Sequence, residues 1–493
     1  MKDQSGLYRW TLLFASLLTL VYLVAAAVRE NYLAEWQSVQ HAYRDVLRKK
    51  ATDEQGRELL KNFRVELKQV SVPALKSVDR CVSCHVGIDD PRMVDVPQPF
   101  RVHTGDVLQH HPMDRFGCTV CHHGQGAATN FRDAKAEDVF WDNPLLTAEL
   151  TQSSCLTCHD AKQLPAEQVP LLLEGMRLYE RKSCGSCHQI GGRGGTRGPA
   201  LDNVGAKTRH QFTMTNLKPP YTTWNWHLSH FRDPAGVVPG SQMKNPTVTE
   251  REALALTVYM LALWNRDVPE SYLAPDKIEQ KFHKLHPQPQ PAEDLYRQYC
   301  VACHGDGGYG RWDKTFNRFI PAIRGPSLAA TATKDYLELN IAKGRPGTEM
   351  PGWEKQAGGL LPEEVAALAA YLRAGSATVQ VSASLPAGDP EKGSVLFTQN
   401  CAGCHGPAGL HGVAPELANP TFQQSASDAF IVTTIRNGRR GTAMPAFQRP
   451  GAAGLTDREI SDLLAYIRTW GSSAGTSMNA EAKKAAGSAG GAP

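Results

Sequence analysis

The strings CVSCH at 81–85, CTVCH at 118–122 and CLTCH at 155–159 decide how this chain is read. Each has two cysteines separated by two residues and a histidine directly after the second. They recur at a step of 37 residues. Three more follow at wider spacing: CGSCH at 184–188, CVACH at 300–304 and CAGCH at 401–405. All 12 cysteines of the chain fall in these pairs, which are Cys81/Cys84, Cys118/Cys121, Cys155/Cys158, Cys184/Cys187, Cys300/Cys303 and Cys401/Cys404.

C-x-x-C-H is the attachment signature of c-type haem. The two thiols add to the vinyl groups on one edge of the macrocycle, and the adjacent histidine turns under the ring to reach iron. A redox or disulfide C-x-x-C does not require a following histidine. A zinc site takes four ligands and would leave most of these histidines unused. The pattern therefore predicts six covalently attached haem c groups, with His85, His122, His159, His188, His304 and His405 as proximal ligands. Haem is attached in this way outside the bacterial cytoplasmic membrane, which predicts a periplasmic location for the haem-bearing segments.

The rest of the composition bounds the class. The chain has 493 residues, 41% of them hydrophobic and 21% charged, with 43 Gly and 32 Pro. This excludes a disordered chain, a collagen-like fibre and a multi-pass transporter, and it favours several loop-rich domains. A formal net charge of +4 gives no case for nucleic-acid binding. Haem propionates would make the surface less basic still.

Residues 10–28, WTLLFASLLTLVYLVAAAV, carry no charge and are long enough to cross a bilayer. Lys2 and Arg9 before them predict a cytoplasmic N-terminus. A retained anchor is the simpler reading, and a signal peptide cleaved near Ala25–Ala27 is the alternative. Apolar residues at intervals of three and four from Tyr32 to Leu47 predict a helix after the span.

A 37-residue step is too short for separate domains, so the first three haems must share one fold with the macrocycles as much of its core. No Gly-x-x-Met-Pro string occurs there. His103, His111 and His123 are the candidate distal ligands, with His41 and His110 behind them. Bis-histidine ligation implies low potentials. The strings RCVSCHVG, HPMDRFGCTVCHHGQG and SSCLTCHD resemble multihaem cytochrome c domains that are membrane-attached partners of cytochrome b complexes in bacteria.

The last three sites sit in a different pattern of helix, attachment string, loop, methionine and helix. GRPGTEMPGW at 344–353 and GRRGTAMPAF at 438–447 are internal repeats that offer Met350 and Met444 as distal ligands. Met243, in PGSQMKNP, is the candidate at the fourth site, with Met214, His210, His227 and His230 as competitors. Thioether ligation raises the potential. From Glu174 to Trp470 the chain resembles the class I cytochrome c family, which implies small all-α domains and electron transfer through exposed haem edges.

The expected fold is mostly α: a membrane-anchored multihaem cytochrome with a haem-packed triheme module and three small all-α cytochrome c domains. The boundaries read as 1–28 cytoplasmic terminus and anchor, 29–60 periplasmic helix, 61–165 triheme module, 166–275, 288–375 and 391–472 monohaem domains, 376–390 linker, and 473–493 disordered tail. The ligand order predicts electron transfer from a cytochrome b-type or other quinol-oxidising membrane protein. The acceptor would be a soluble periplasmic cytochrome or a terminal reductase or oxidase. The competing expectation is a reductase of a small nitrogen or sulfur oxyanion, with one open haem in the N-terminal module.

Overall fold

The computed structural model describes residues 5–138, 140–146, 149–285, 287–374, 385–448 and 454–471. The tail and most of the 376–390 linker lie outside these residues. Helices dominate, and three two-stranded antiparallel hairpins accompany them.

The Ser5–Tyr32 helix carries no charge over residues 10–28 and buries none of its residues, as a bilayer span would. A break at Leu33 and Ala34 separates it from the Glu35–Lys50 helix. That second helix buries Trp36, Gln40, Tyr43 and Leu47, a stripe of i, i+4, i+7, i+11 spacing. The expected stripe thus holds, except that Tyr32 lies on the exposed span and Gln40 takes a buried place.

Two compact units divide the chain. The first comprises residues 1–171, 206–227 and 265–278, and the second 172–205, 228–264 and 279–493. The 166–275 segment is thus shared between both.

In the first unit polar side chains join the attachment turns. Buried Gln40 donates to the carbonyls of Ser83, at 2.9 Å, and Glu66, at 2.8 Å, which ties the second helix to the Cys81–Ser83 turn. Buried Asp79 accepts from the Cys118 amide at 2.5 Å, the Thr119 amide at 3.1 Å and the Thr119 hydroxyl at 2.7 Å. A carboxylate two residues before the first string therefore caps the start of the second. Gly117 is required beside it, because its φ is +70° and a Cβ would lie 2.4 Å from Asp79 Oδ2. Ser154 Oγ donates to the Cys121 carbonyl at 2.7 Å and links the third string to the second.

In the second unit helices cross at close range. The Glu250–Ala262 helix starts in a capping box: Thr249 Oγ1 accepts from the Glu252 amide and the Glu252 carboxylate from the Thr249 amide. It packs on the Pro170–Arg181 helix, where a Cβ on Gly175 would lie 2.1 Å from the Ala255 carbonyl oxygen. The Pro390–Asn400 helix repeats this crossing with the 457–471 helix: a Cβ on Gly393 would lie 2.0 Å from the Asp462 carbonyl oxygen. The Lys334–Lys343 and Asp428–Asn437 helices each end in a positive-φ glycine, Gly344 and Gly438, and lead into the two repeats. One hydrophobic core runs from Leu295 to Ile467 through both repeat domains.

Candidate haem-binding sites

Each C-x-x-C-H string forms a single tight turn that aims its histidine ring. Backbone bonds from the histidine amide to the first cysteine carbonyl close all six turns, for example His85 to Cys81 at 2.8 Å and His304 to Cys300 at 2.9 Å. The other ring nitrogen is then fixed by a carbonyl. His188 Nδ1 pairs with the Pro199 oxygen at 2.8 Å, His304 with Pro321 at 3.0 Å and His405 with Pro415 at 2.8 Å. His85 and His122 use the carbonyls of Pro99 and Leu146. A carbonyl on Nδ1 sets the tautomer that leaves Nε2 free for a metal. The counterpart of Pro199 and Pro415 at the fifth site is Pro321, in FIPAIRGP. Burial lowers the pKa of these histidines, to about 4 at His304. It keeps them neutral, the state that ligates metal.

In the first unit two candidate distal histidines face proximal ones. The His103 and His122 ring centres are 6.3 Å apart, and those of His111 and His159 6.0 Å. Two imidazoles bound trans to one metal at about 2 Å each have ring centres about 6 Å apart. The pairs therefore have the spacing of two bis-histidine sites. His123 is placed differently: its Nε2 lies 2.6 Å from the Arg266 guanidinium, and burial followed by that charge pushes its pKa down to about 3. His41 and His110 are exposed beside Arg44 and Asp106.

At the fourth site, Met243 lies between Gln242, which accepts from Arg197, and Lys244, which pairs with Asp313. His230 is half-buried near His188, and desolvation followed by that neighbour takes its pKa to about 4. His227 packs against Phe212 and Trp226, and His210 is exposed. At the fifth site a cleft open to solvent is lined by Cys300, Cys303 and His304 as well as Met350, Trp353 and Arg345. Arg345 donates from its amide to the Met350 carbonyl at 2.9 Å, and Arg439 does the same to Met444 at 3.0 Å. The two methionine loops thus share one closure.

These residues fit haem. The cleft carries two thiols, a neutral imidazole and a thioether, and its walls are apolar. Arg345 Nη1 is buried there with no hydrogen-bond partner among the described residues, although Nε and Nη2 are held by Asn340 and Tyr336. A haem propionate satisfies such a guanidinium.

The attachment turns also meet one another. The Cys81 and Cys118 side chains lie close together. Cys121 lies within electrostatic range of Cys158, and Cys187 of Cys303.

A model of the cytochrome c family matches residues 172–264. That of cbb3-type cytochrome c oxidase subunit III matches 287–372 and 388–467. Cytochrome c-554(547) of Halothiobacillus neapolitanus is 34% identical over 89 residues, which is 17% of this chain and 98% of that protein. The chain belongs to the cytochrome c family. Haem c, held covalently, is the cofactor of such a chain. The cbb3-type oxidase subunit CcoP of Azospirillum sp. (strain B510) is 29% identical over 190 residues, 36% of this chain and 60% of that subunit. FixP of Bradyrhizobium diazoefficiens is 25% identical over 36% of this chain and 59% of its own length. The chain thus spans about 60% of these oxidase relatives. It is a mostly α, multihaem c-type cytochrome related to them, with one N-terminal helix suited to single-pass anchoring.

Proposed function

We propose that the chain is a membrane-anchored hexahaem cytochrome that carries electrons and does no substrate chemistry of its own. Its haem domains lie in the periplasm. Electrons enter from a cytochrome b-type or other quinol-oxidising membrane protein, cross a bis-histidine triheme unit, and leave through His/Met haems. The acceptor is a soluble periplasmic cytochrome or a terminal reductase or oxidase. The kinship with CcoP and FixP subunits supports a place in a respiratory complex.

The observation that carries this reading is the closeness of the first attachment turn to the second, the second to the third and the fourth to the fifth. A haem edge is bonded to its cysteines, so haems anchored at neighbouring cysteines such as Cys81 and Cys118 have close edges. Electrons then pass from site to site without a diffusing carrier. Bound haem supplies the one-electron Fe(III)/Fe(II) couple; the chain supplies attachment, ligands, tautomer and exclusion of water.

The proposed ligands are His103 opposite His122 and His111 opposite His159, with His123 third. Ligation by His123 requires that its hydrogen bond with Arg266 be given up. Met350 and Met444 serve His304 and His405. Met243 serves His188, with His230 as the competing imidazole.

The test is a haem count and a stepwise redox titration of the full-length protein. Six haems per chain are expected, with the first three reduced at lower potential than the last two. Fewer haems, or the reverse order of potentials, would overturn the reading.

A further inference from the structure

We propose that Asp276 holds down the reduction potential of the haem attached at Cys155 and Cys158. Five of the six proximal histidines present their second ring nitrogen to a neutral acceptor: Pro99, Leu146, Pro199, Pro321 or Pro415. His159 is different. Its Nδ1 lies 3.9 Å from the Asp276 carboxylate oxygen Oδ2. That oxygen accepts a hydrogen bond from the Asp160 amide at 2.8 Å, one residue beyond the ligand. The Ala274 amide donates to the Cys158 carbonyl at 2.9 Å, which docks the start of the Pro275–Leu285 helix on this turn. The carboxylate is thus built into the site by the backbone, although it comes from 117 residues downstream of His159 in the sequence.

Asp276 is a positioning residue that acts on iron through His159. At 3.9 Å the carboxylate acts through its charge, which favours the more positive Fe(III) state. That charge lowers the potential. Lys277 opposes it: its Nζ donates to the Leu156 carbonyl at 2.6 Å and its charge reaches His159. His111 faces His159 from the other side. The inference rests on the proposed ligand pair His111/His159 and deepens it: the third haem becomes the low point of the first unit.

The experiment is a potentiometric titration, followed by EPR, of the full-length protein and two variants. Asp276→Asn keeps an oxygen for the Asp160 amide and removes the charge. One bis-histidine haem should then become about tenfold easier to reduce, a rise of about 59 mV in its midpoint. Lys277→Gln should move the same haem in the opposite direction, and Asp276→Glu should restore the original value. Unchanged midpoints in both charge variants, with the bis-histidine signals of the parent protein intact, would overturn the role of Asp276 alone. Absence of those signals from the parent protein would overturn the ligand pair and this inference with it.

Discussion

Around the attachment turns of the first unit, Tyr43, Leu47, Met93 and Val96 form a small apolar cluster, and much of the linkage is polar. Gln40, Asp79, Ser154 and Arg266 run from one turn to the next. Under the last two sites of the second unit, a continuous apolar core joins helices from both repeats. Buried aromatic pairs such as Tyr336 and Phe430, with ring centres 4.6 Å apart, connect the two copies. Apolar burial contributes about 25 cal/mol per Å². The repeat domains draw on that through one continuous core within the polypeptide, and in the proposed triheme reading the first unit would draw on its macrocycles as well. The proposed ligands follow the same contrast, with imidazole pairs in the first unit and thioether loops in the second.

The largest expected effect breaks this comparison at one site in each unit. Replacing both Cys118 and Cys121 with Ala should cost all three haems of the first unit, because its turns are tied to each other and to macrocycles. Replacing both Cys401 and Cys404 with Ala should cost one haem and leave the fifth in place. Haem content per chain, measured by absorbance and intact mass, checks both. Next comes ligand exchange: Met350→His should shift the fifth haem toward the potentials of the first unit, which redox titration reads directly.

Two smaller effects probe packing. Gly393→Val forces a Cβ to 2.0 Å from the Asp462 carbonyl oxygen and should destabilise the last domain by about 3 kcal/mol or more, seen as a lowered thermal midpoint. Asp79→Asn weakens the anchor of Cys118 and Thr119 and should cost about 1–3 kcal/mol. Amide hydrogen exchange should quicken at Cys118 and Thr119 and stay unchanged in the second unit.

Much of this was legible in the sequence because it is local. The capping box at Thr249 and Glu252, the helix over Pro362–Arg373 and the paired methionine loops follow from residues within one turn or one repeat. The candidate histidines His103 and His111 were visible too, but not which proximal ring each would face. That choice is made by chain path, as is the meeting of His123 with Arg266 across 143 residues. His230 near His188 is likewise a tertiary result: i, i+3 spacing along its helix places His227 and His230 alike, and packing alone separates them. The apolar stripe after the span marked the second helix, but the break at Leu33 and Ala34 carries no glycine or proline to announce it.

The ligand order is tested most directly by low-temperature EPR with near-infrared magnetic circular dichroism on the oxidised, full-length protein. The account predicts low-spin haems throughout, with bis-histidine signals from the first unit and His/Met signals from the sites that hold Met350 and Met444. A high-spin haem that binds carbon monoxide when reduced, or His/Met signals from the first three sites, would contradict it.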